Sequence, residues 1–160
     1  MSINSKNIST YNKIADQFSE SHFDPIFWRK EFEIFCDLAK GKKILEIGCG
    51  AGRDASLFHK SGFDYLGTDA SKGMIKQAQT RLPECNFQVM DFYKLDFPTS
   101  TFDGFWACAA LLHIPKPRLN KVLVSIKKIM KKGAVGFISI KQIKERYRVR
   151  NYQTRPIWRH

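Results

Sequence analysis

The residues of this chain best placed to do chemistry are three glycines at alternate positions and a set of acids around them. The stretch reads Lys43-Ile44-Leu45-Glu46-Ile47-Gly48-Cys49-Gly50-Ala51-Gly52-Arg53-Asp54. Ile44, Leu45 and Ile47 form a short apolar run of the kind a strand buried on both faces shows, and it stops at the glycines. Gly48, Gly50 and Gly52 lack a Cβ, so a ligand can lie almost against the main chain there. A helix that starts after them aims its unpaired N–H groups at the same place. Two further acids, Asp69 and Asp91, end later apolar segments, which makes Glu46, Asp69 and Asp91 a series at successive strand ends. Carboxylates so placed accept hydrogen bonds from ligand hydroxyls and amino groups. His113 is the titratable side chain of a later loop, and an unperturbed imidazole suits a general base near neutral pH as well as an ordinary structural role.

Spacing separates two kinds of glycine turn. The dinucleotide pattern G-x-G-x-x-G wants a glycine at position 53, where Arg53 stands, so a nicotinamide-dependent oxidoreductase is the weaker reading. The form present, an acid, one apolar residue and then G-x-G-x-G, resembles the first motif of the class I S-adenosylmethionine-dependent methyltransferases. Ile-Gly-Cys-Gly-Ala-Gly-Arg-Asp is similar to their small-molecule branch. Asp69 lies 19 positions after Gly50, where that resemblance implies an acid on the ribose hydroxyls. Asp91 matches the acid that takes the adenine amino group, with Phe92 packing on the ring. Phe102-Asp103-Gly104-Phe105-Trp106-Ala107-Cys108 and the loop to Pro115 resemble the fourth motif, which faces the transferable methyl group. Tyr11-Asn12-Lys13-Ile14-Ala15-Asp16-Gln17-Phe18 is similar to the lid helix of such enzymes. The resemblance thus assigns Tyr11, Glu46, Gly48, Cys49, Gly50, Gly52 and Arg53 to cofactor binding. With them go Asp69, Ala70, Ser71, Met74, Asp91, Phe92 and Ala107. It implies a small-molecule acceptor between His113 and the lid; the Asn/Asp-Pro-Pro-aromatic signature of amino methyltransferases of nucleic acid is missing.

The elements that must hold these residues alternate. A helix capped by Ser9 or Thr10 carries Tyr11, Ile14, Ala15 and Phe18 on one face. Asp24-Pro25 opens a second helix that ends at Gly41, with Phe27, Trp28, Phe32, Ile34, Phe35 and Leu38 as its apolar face. Strands are expected at 44–47, 63–68, 86–90, from 102, and at 134–140. Between them come helices with Leu57 and Phe58 ending at Gly62, from Ser71 to Leu82 before Pro83, and from Pro117 through Leu119, Val122, Leu123, Ile126, Ile129 and Met130. Lys127, Lys128, Lys131 and Lys132 are read as the basic last turns of that helix before Gly133. Five alternations predict an α/β fold, a Rossmann-like three-layer sandwich with a parallel sheet in the order 3-2-1-4-5. Residues 1–41 supply lid and packing helices, 42–140 the S-adenosylmethionine-binding core and 141–160 a basic tail, all in one domain.

The sequence has 160 residues, 43% hydrophobic and 13% aromatic, as in a packed globular domain. No uninterrupted apolar run is long enough to cross a membrane, and the first residues lack the apolar core of a signal peptide, so a cytoplasmic protein is expected. Cysteines 36, 49, 85 and 108 lack the close pairing of metal or redox motifs and read as buried thiols, with no metal site expected. No basic residue adjoins Cys108, which argues against a nucleophile there. Net charge is +12, but the last 20 residues alone carry +6, so half of the excess sits on a short tail and nucleic acid is disfavoured. The family continues with sixth and seventh strands, for which the residues after 140 leave no room. The fifth strand is therefore expected to be an edge, open or covered only by the tail and prone to self-association, with cofactor binding weak or absent and activity reduced.

Overall fold

The computed structural model describes residues 3–21 and 28–140. Along them run α1 (Ile3–Ser21), α2 (Arg29–Leu38), β1 (Lys43–Ile47), α3 (Ala55–Lys60), β2 (Asp64–Asp69), α4 (Lys72–Arg81), β3 (Asn86–Val89), β4 (Phe102–Cys108), a 3-10 turn (Leu111–His113), α5 (Lys116–Ile129) and β5 (Met130–Ser139). The strands pair in parallel in the order β3-β2-β1-β4-β5, the expected Rossmann-like arrangement. From β1 the chain steps outward to β2 and β3, then returns to the other side of β1 with β4 and β5. Right-handed crossovers carry the helices of these two excursions to opposite faces. The strand order reverses between β1 and β4, and a crevice opens there at the carboxyl ends.

Alternation along the strands divides the core into two layers. On one face Ile44, Tyr65 and Trp106 meet Phe32 and Phe35 of α2 and Phe58 of α3. This layer is aromatic: Trp106 stacks on Phe137 with ring centroids 3.8 Å apart, and Phe58 stacks on Tyr65 at 5.5 Å. On the other face Leu45, Ile47 and Ala107 meet Val122, Ile126 and Ile129 of α5. Each of these large side chains contributes about 1.5–3 kcal/mol by leaving water. Together the two layers fix the strand ends that carry the site.

Several expected boundaries move. α1 runs through Ser9 and Thr10 rather than starting there, and the Thr10 hydroxyl bonds back to the Lys6 carbonyl at 3.0 Å, as hydroxyls inside helices do. The expected Asp24-Pro25 start and Phe27 lie outside the described residues. α2 buries Phe32 and Phe35, whereas Ile34 and Leu38 are exposed, because the helix is narrower in its contact than its apolar content suggests. It ends at Leu38, and Gly41 is not its stop. Position 41 is glycine because a Cβ there would lie 2.2 Å from the Asp103 carboxyl carbon.

The largest shift is at the end of α5. The helix ends at Ile129, and β5 begins at once at Met130 rather than at Ala134. Phe102 pairs with Met130 but Gly104 pairs with Val135, so residues 131–134 form a bulge. Gly133, with φ +82°, belongs to that bulge and not to a helix end. Lys131 and Lys132 are therefore strand residues, and Lys131 Nζ pairs with Asp103 Oδ1 at 2.9 Å. Among the described residues no strand pairs with the outer edge of β5, and Ile138 and Ile140 are exposed near its end.

Candidate cofactor site

A cavity of about 230 Å³ opens at the carboxyl ends of β1, β2 and β4, roofed by α1. Its floor is the glycine turn. Gly48, Gly50 and Gly52 have φ of +72°, +54° and +83°, conformations that a side chain disfavours. The Gly48 and Cys49 amides donate to the Thr68 carbonyl at 2.7 and 2.9 Å, which folds the turn over the end of β2. A Cβ on Gly50 would meet nothing within 4 Å, so the main chain is bare toward the cavity. Gly52 works differently: its Cβ would lie 3.0 Å from the Phe87 ring, so this glycine admits packing behind the wall.

Asp69 ends β2 beside that turn. Its Oδ2 accepts from the Gly50 amide at 3.0 Å and its Oδ1 from the Ser71 amide at 2.8 Å. Burial raises its pKa, and the two amides oppose the rise. Each carboxylate oxygen still has a lone pair for a ligand hydroxyl. Ser71 caps α4, its hydroxyl oxygen accepting from the Met74 amide at 3.2 Å, as a helix start of this sequence requires.

Behind the glycine turn lies a buried polar network. Asp54 is 1% exposed and accepts from Arg53 Nε at 2.7 Å, Arg53 Nη2 at 2.8 Å and Trp106 Nε1 at 2.9 Å. Burial works against the Arg53 charge, but the Asp54 pair outweighs it and raises that pKa. Glu46, 2% exposed, accepts a hydrogen bond from the Tyr65 hydroxyl. Burial first, and the like charge of Asp54 second, push the Glu46 carboxyl up to about 8. Among the described residues no buried side-chain nitrogen or oxygen lacks a partner.

Arg53 also corrects the reading of Cys108. No basic residue adjoins it in sequence, yet Arg53 Nη2 lies 2.9 Å from its sulfur and the Ser139 hydroxyl 3.4 Å away. The thiol pKa nevertheless stays raised by burial. Ala109, next in the chain, has φ +53°; its amide reaches the Ser139 hydroxyl oxygen at 2.9 Å, and this turn forms the wall after β4.

The roof meets the β4 loop through one side-chain pair. The Tyr11 hydroxyl lies 3.1 Å from His113 Nε2, and their rings meet edge to face at 5.6 Å. Phe18 packs edge to face on Tyr11 at 5.6 Å. Burial lowers the His113 pKa, which keeps the imidazole neutral near pH 7. Burial, and then the charge of Asp69, raise the pKa of Tyr11.

Of the residues singled out from sequence, Tyr11, Glu46, Gly48, Cys49, Gly50, Arg53, Asp69, Ala70, Ser71, Met74, Phe92 and His113 all line this cavity. Ala107 is buried in the core under α5. The Asp91 carboxylate accepts from the Tyr93 amide at 2.9 Å, while its neighbours Met90 and Phe92 face the cavity. Sequence reasoning missed Asn7, Ile8, Ser19, Met90, Ala109 and Ala110 on the wall. For Asn7, Ile8 and Ser19 the signal lay in α1, whose helical spacing extends the face of Tyr11 by a turn each way.

Among the described residues no group of His, Cys, Asp or Glu could hold a metal ion, and no helix is long and apolar enough to cross a membrane. The lining suits a polar organic ligand: hydrogen-bonding groups of the acids, bare main chain and the apolar sides of Met74, Met90 and Phe92.

Residues 44–133, more than half of the chain, match the family model described as a methyltransferase domain. The chain is 26% identical over 133 residues to a demethylmenaquinone methyltransferase of Paenarthrobacter aurescens, covering 83% of this chain and 48% of that one. It is 36% identical over 96 residues to phosphoethanolamine N-methyltransferase 3 of Arabidopsis thaliana, covering 56% and 20%. The crystal structure of the PH0226 protein from Pyrococcus horikoshii superposes with a TM-score of 0.60 at 28% identity, covering 65% of this chain and 51% of that one. An S-adenosylmethionine-dependent methyltransferase from Mesorhizobium loti, at 21% identity and TM-score 0.56, shares the fold and is covered to 49%. The chain thus spans about half the length, or less, of the proteins it matches. With the glycine turn, the strand-end acids and the 3-2-1-4-5 sheet already in place, the match assigns the chain to the class I S-adenosylmethionine-dependent methyltransferase family.

Proposed function

We propose that the chain binds S-adenosylmethionine in this cavity and transfers its methyl group to a small-molecule acceptor seated over the β4 loop, between His113 and the lid residues Tyr11 and Phe18. The observation that carries the reading is the carboxylate of Asp69, held by two amides at the edge of a bare glycine turn. Bound there, the cofactor supplies a methyl group activated by a sulfonium centre. The remaining work is done by the chain. Asp69 takes the ribose hydroxyls with the lone pairs its amide partners leave. Asp69 gives the wall a negative potential that favours a cation, while Glu46, with its carboxyl pushed up to about 8, is protonated and uncharged near pH 7. Met90 and Phe92 flank the adenine, and Asp91 between them, off the cavity lining, accepts from the Tyr93 amide and so holds the turn that presents them. Aligning the two reactants accounts for several kcal/mol of the barrier, up to roughly 7–11 kcal/mol in the best intramolecular systems.

Where the acceptor carries a proton, His113 Nε2 would take that proton as the methyl carbon passes from the sulfonium sulfur to the attacking atom, the electron pair of the broken C–S bond staying on sulfur as the neutral thioether of S-adenosylhomocysteine. The Tyr11 hydroxyl already marks that nitrogen as the polar atom facing the roof. The relatives described above are named for a quinone precursor and for an amino alcohol phosphate, so the acceptor class proposed is a metabolite rather than a macromolecule.

Calorimetric titration with S-adenosylmethionine, S-adenosylhomocysteine and NAD tests the cofactor. Binding of the first two and not the third supports the reading; binding of NAD alone overturns it. Asp69→Ala is expected to weaken S-adenosylmethionine binding by roughly 1–3 kcal/mol through loss of hydrogen bonds to a buried ligand group. Unchanged affinity in that variant removes Asp69 from the site. Cofactor turnover with metabolite extracts, and none with DNA or RNA, supports the acceptor class.

The edge of β5, which pairs with no strand among the described residues, supports a second proposal, association between copies of the chain through that strand. Sedimentation equilibrium across a concentration series tests it, and a monomer throughout removes it.

A further inference from the structure

The side chain of Asn12 joins the lid helix to the segment that follows Asp69. Asn12 Oδ1 accepts from the Ser71 hydroxyl at 2.8 Å and from the Gly73 amide at 2.9 Å. Ser71 is 1% exposed, and its hydroxyl works in both directions: the proton goes to Asn12 and a lone pair takes the Met74 amide. The Ser71 amide in turn holds Asp69 Oδ1. One continuous path of hydrogen bonds therefore runs from α1 to the carboxylate that faces the cavity.

The approach that makes this path is built into the backbone. A Cβ on Gly73 would lie 3.1 Å from the Ala15 Cβ and 3.1 Å from the Asn12 carbonyl oxygen, so a side chain there would ask α1 to give by a few tenths of an ångström. Gly73 has no positive φ, so close packing rather than backbone conformation is what asks for glycine here. Further along the same seam Arg81 Nη1 reaches the Ser19 carbonyl at 2.6 Å, and Gln77 donates to Asp16. Ala15, Met74 and Ala51 form a small apolar cluster beneath it, separate from the two main layers of the core. Tyr11, the residue before Asn12, leaves the seam on the other side to meet His113.

We propose that Asn12 is a positioning residue for cofactor binding, a clasp that seats the lid on α4 and, through Ser71, fixes the Asp69 carboxylate. Closing the roof and setting the ribose-binding acid are then one event. When α1 leaves, the Ser71 hydroxyl loses its acceptor and turns, the cap on the Met74 amide weakens, and the Asp69 turn loosens. Both bonds at Asn12 are ones it accepts, so an aspartate there can make them too, with the N-terminal end of α4 favouring its charge.

The inference rests on S-adenosylmethionine occupying the cavity, and the experiment separates the two. The full chain is measured as wild type, Asn12→Ala, Asn12→Asp and Gly73→Ala, by calorimetric S-adenosylmethionine binding and by hydrogen exchange of the Gly73 and Met74 amides without ligand. Asn12→Ala is expected to weaken binding about fivefold to tenfold and to speed exchange at both amides. Asn12→Asp is expected to restore both to near the wild-type level. Gly73→Ala, which keeps the acceptor but pushes α1 outward, is expected to lose affinity as Asn12→Ala does. A purely structural role would instead make affinity follow melting temperature across the four proteins, with Asn12→Asp no better than Asn12→Ala at equal stability. That result, or wild-type affinity in Asn12→Ala, overturns the clasp. No binding by the wild type overturns the cofactor reading and the positioning role with it, whereas exchange that speeds in Asn12→Ala alone still shows the hydrogen bonds to be real.

Discussion

On the β1–β2 side of the cavity the functional groups are set by main chain and by buried charge. Asp69 rests on two amides, the glycine turn is folded by two bonds to the Thr68 carbonyl, and Asp54 collects three donors at 1% exposure. On the β4–α1 side the cavity is closed by half-buried side chains, with Tyr11 against His113 as the polar link and Phe18 beside them. The contrast suits the two tasks proposed for the cavity. A cofactor common to a family needs one rigid geometry, which backbone and low-dielectric networks provide. A substrate must enter and leave, which asks for a wall that opens with few losses.

The first side should therefore break expensively. Asp54→Ala leaves the Trp106 N–H without its acceptor in the core and the partly exposed Arg53 guanidinium without its carboxylate. The loss is expected to be about 3–5 kcal/mol, the range for removing one partner of a buried pair. Urea denaturation measures it, and a loss below about 1 kcal/mol would show that the network is not what stiffens this wall. Next comes Gly48→Ala. At φ +72° a Cβ is strained, and it would also fall 2.5 Å from the Ala110 Cβ. Strain of this kind costs of order 1–3 kcal/mol, and the overlap with Ala110 presses the glycine turn against the β4 loop. Gly50→Ala meets no neighbour, so strain alone acts and the loss should be smaller. Equal losses at the two positions, measured by the same denaturation, would deny the packing part of the argument.

How much of this was legible in sequence follows the same division. The glycine turn, Glu46, Asp69 and Ser71 were readable because each is fixed by local geometry that a short motif encodes: a φ above zero, a strand end, a helix cap. The parallel sheet with helices on both faces followed from alternation and crossover handedness, and its order is the one expected. Asp54 with Trp106, and Arg53 with Cys108, were not readable, since 52 and 55 residues separate the partners and only the folded sheet brings them together. The α5–β5 junction failed for another reason. Helical periodicity continues through Met130, so nothing local marks the end of the helix, and the register of β5 against Phe102 decides it. Gly41 misled because glycine near a helix end has two uses, and here the close Asp103 carboxylate takes the second.

Acid–base behaviour sharpens the comparison at a smaller scale. Glu46 titrates at about 8 in the folded chain against an ordinary value near 4.5, so the native state binds more protons than the unfolded one between those values. Its contribution to stability is accordingly greatest below the ordinary carboxyl range, falls as pH rises, and levels off above about 8. Thermal unfolding of Glu46→Gln across this window should show a flatter pH dependence than the wild type. A slope unchanged by the substitution would place the titration elsewhere in the molecule. On the opposite wall His113 runs the other way. Its folded pKa is depressed by burial, so its contribution is lost as pH falls from its ordinary value near 6.5 toward the folded one.

Tyr11→Phe should have the smallest effect on the fold. It keeps the ring against Phe18 and deletes only the hydroxyl that meets His113 Nε2, a half-buried bond in a place that water can reach. The net value of such a bond is about 0.5–1.5 kcal/mol, and water replaces part of it, so denaturation should shift by less than about 1 kcal/mol. The consequence belongs on the side of function. Without the hydroxyl, the His113 imidazole loses the contact that orients Nε2 toward the roof, and turnover of a proton-bearing acceptor should fall while S-adenosylmethionine affinity holds. An NMR titration of the His113 ring in both proteins, read with the pH dependence of turnover, decides the point. If Tyr11→Phe weakens cofactor binding as much as it slows turnover, Tyr11 belongs to the rigid wall after all, and the division between the two sides of the cavity fails at the residue that was taken to define it.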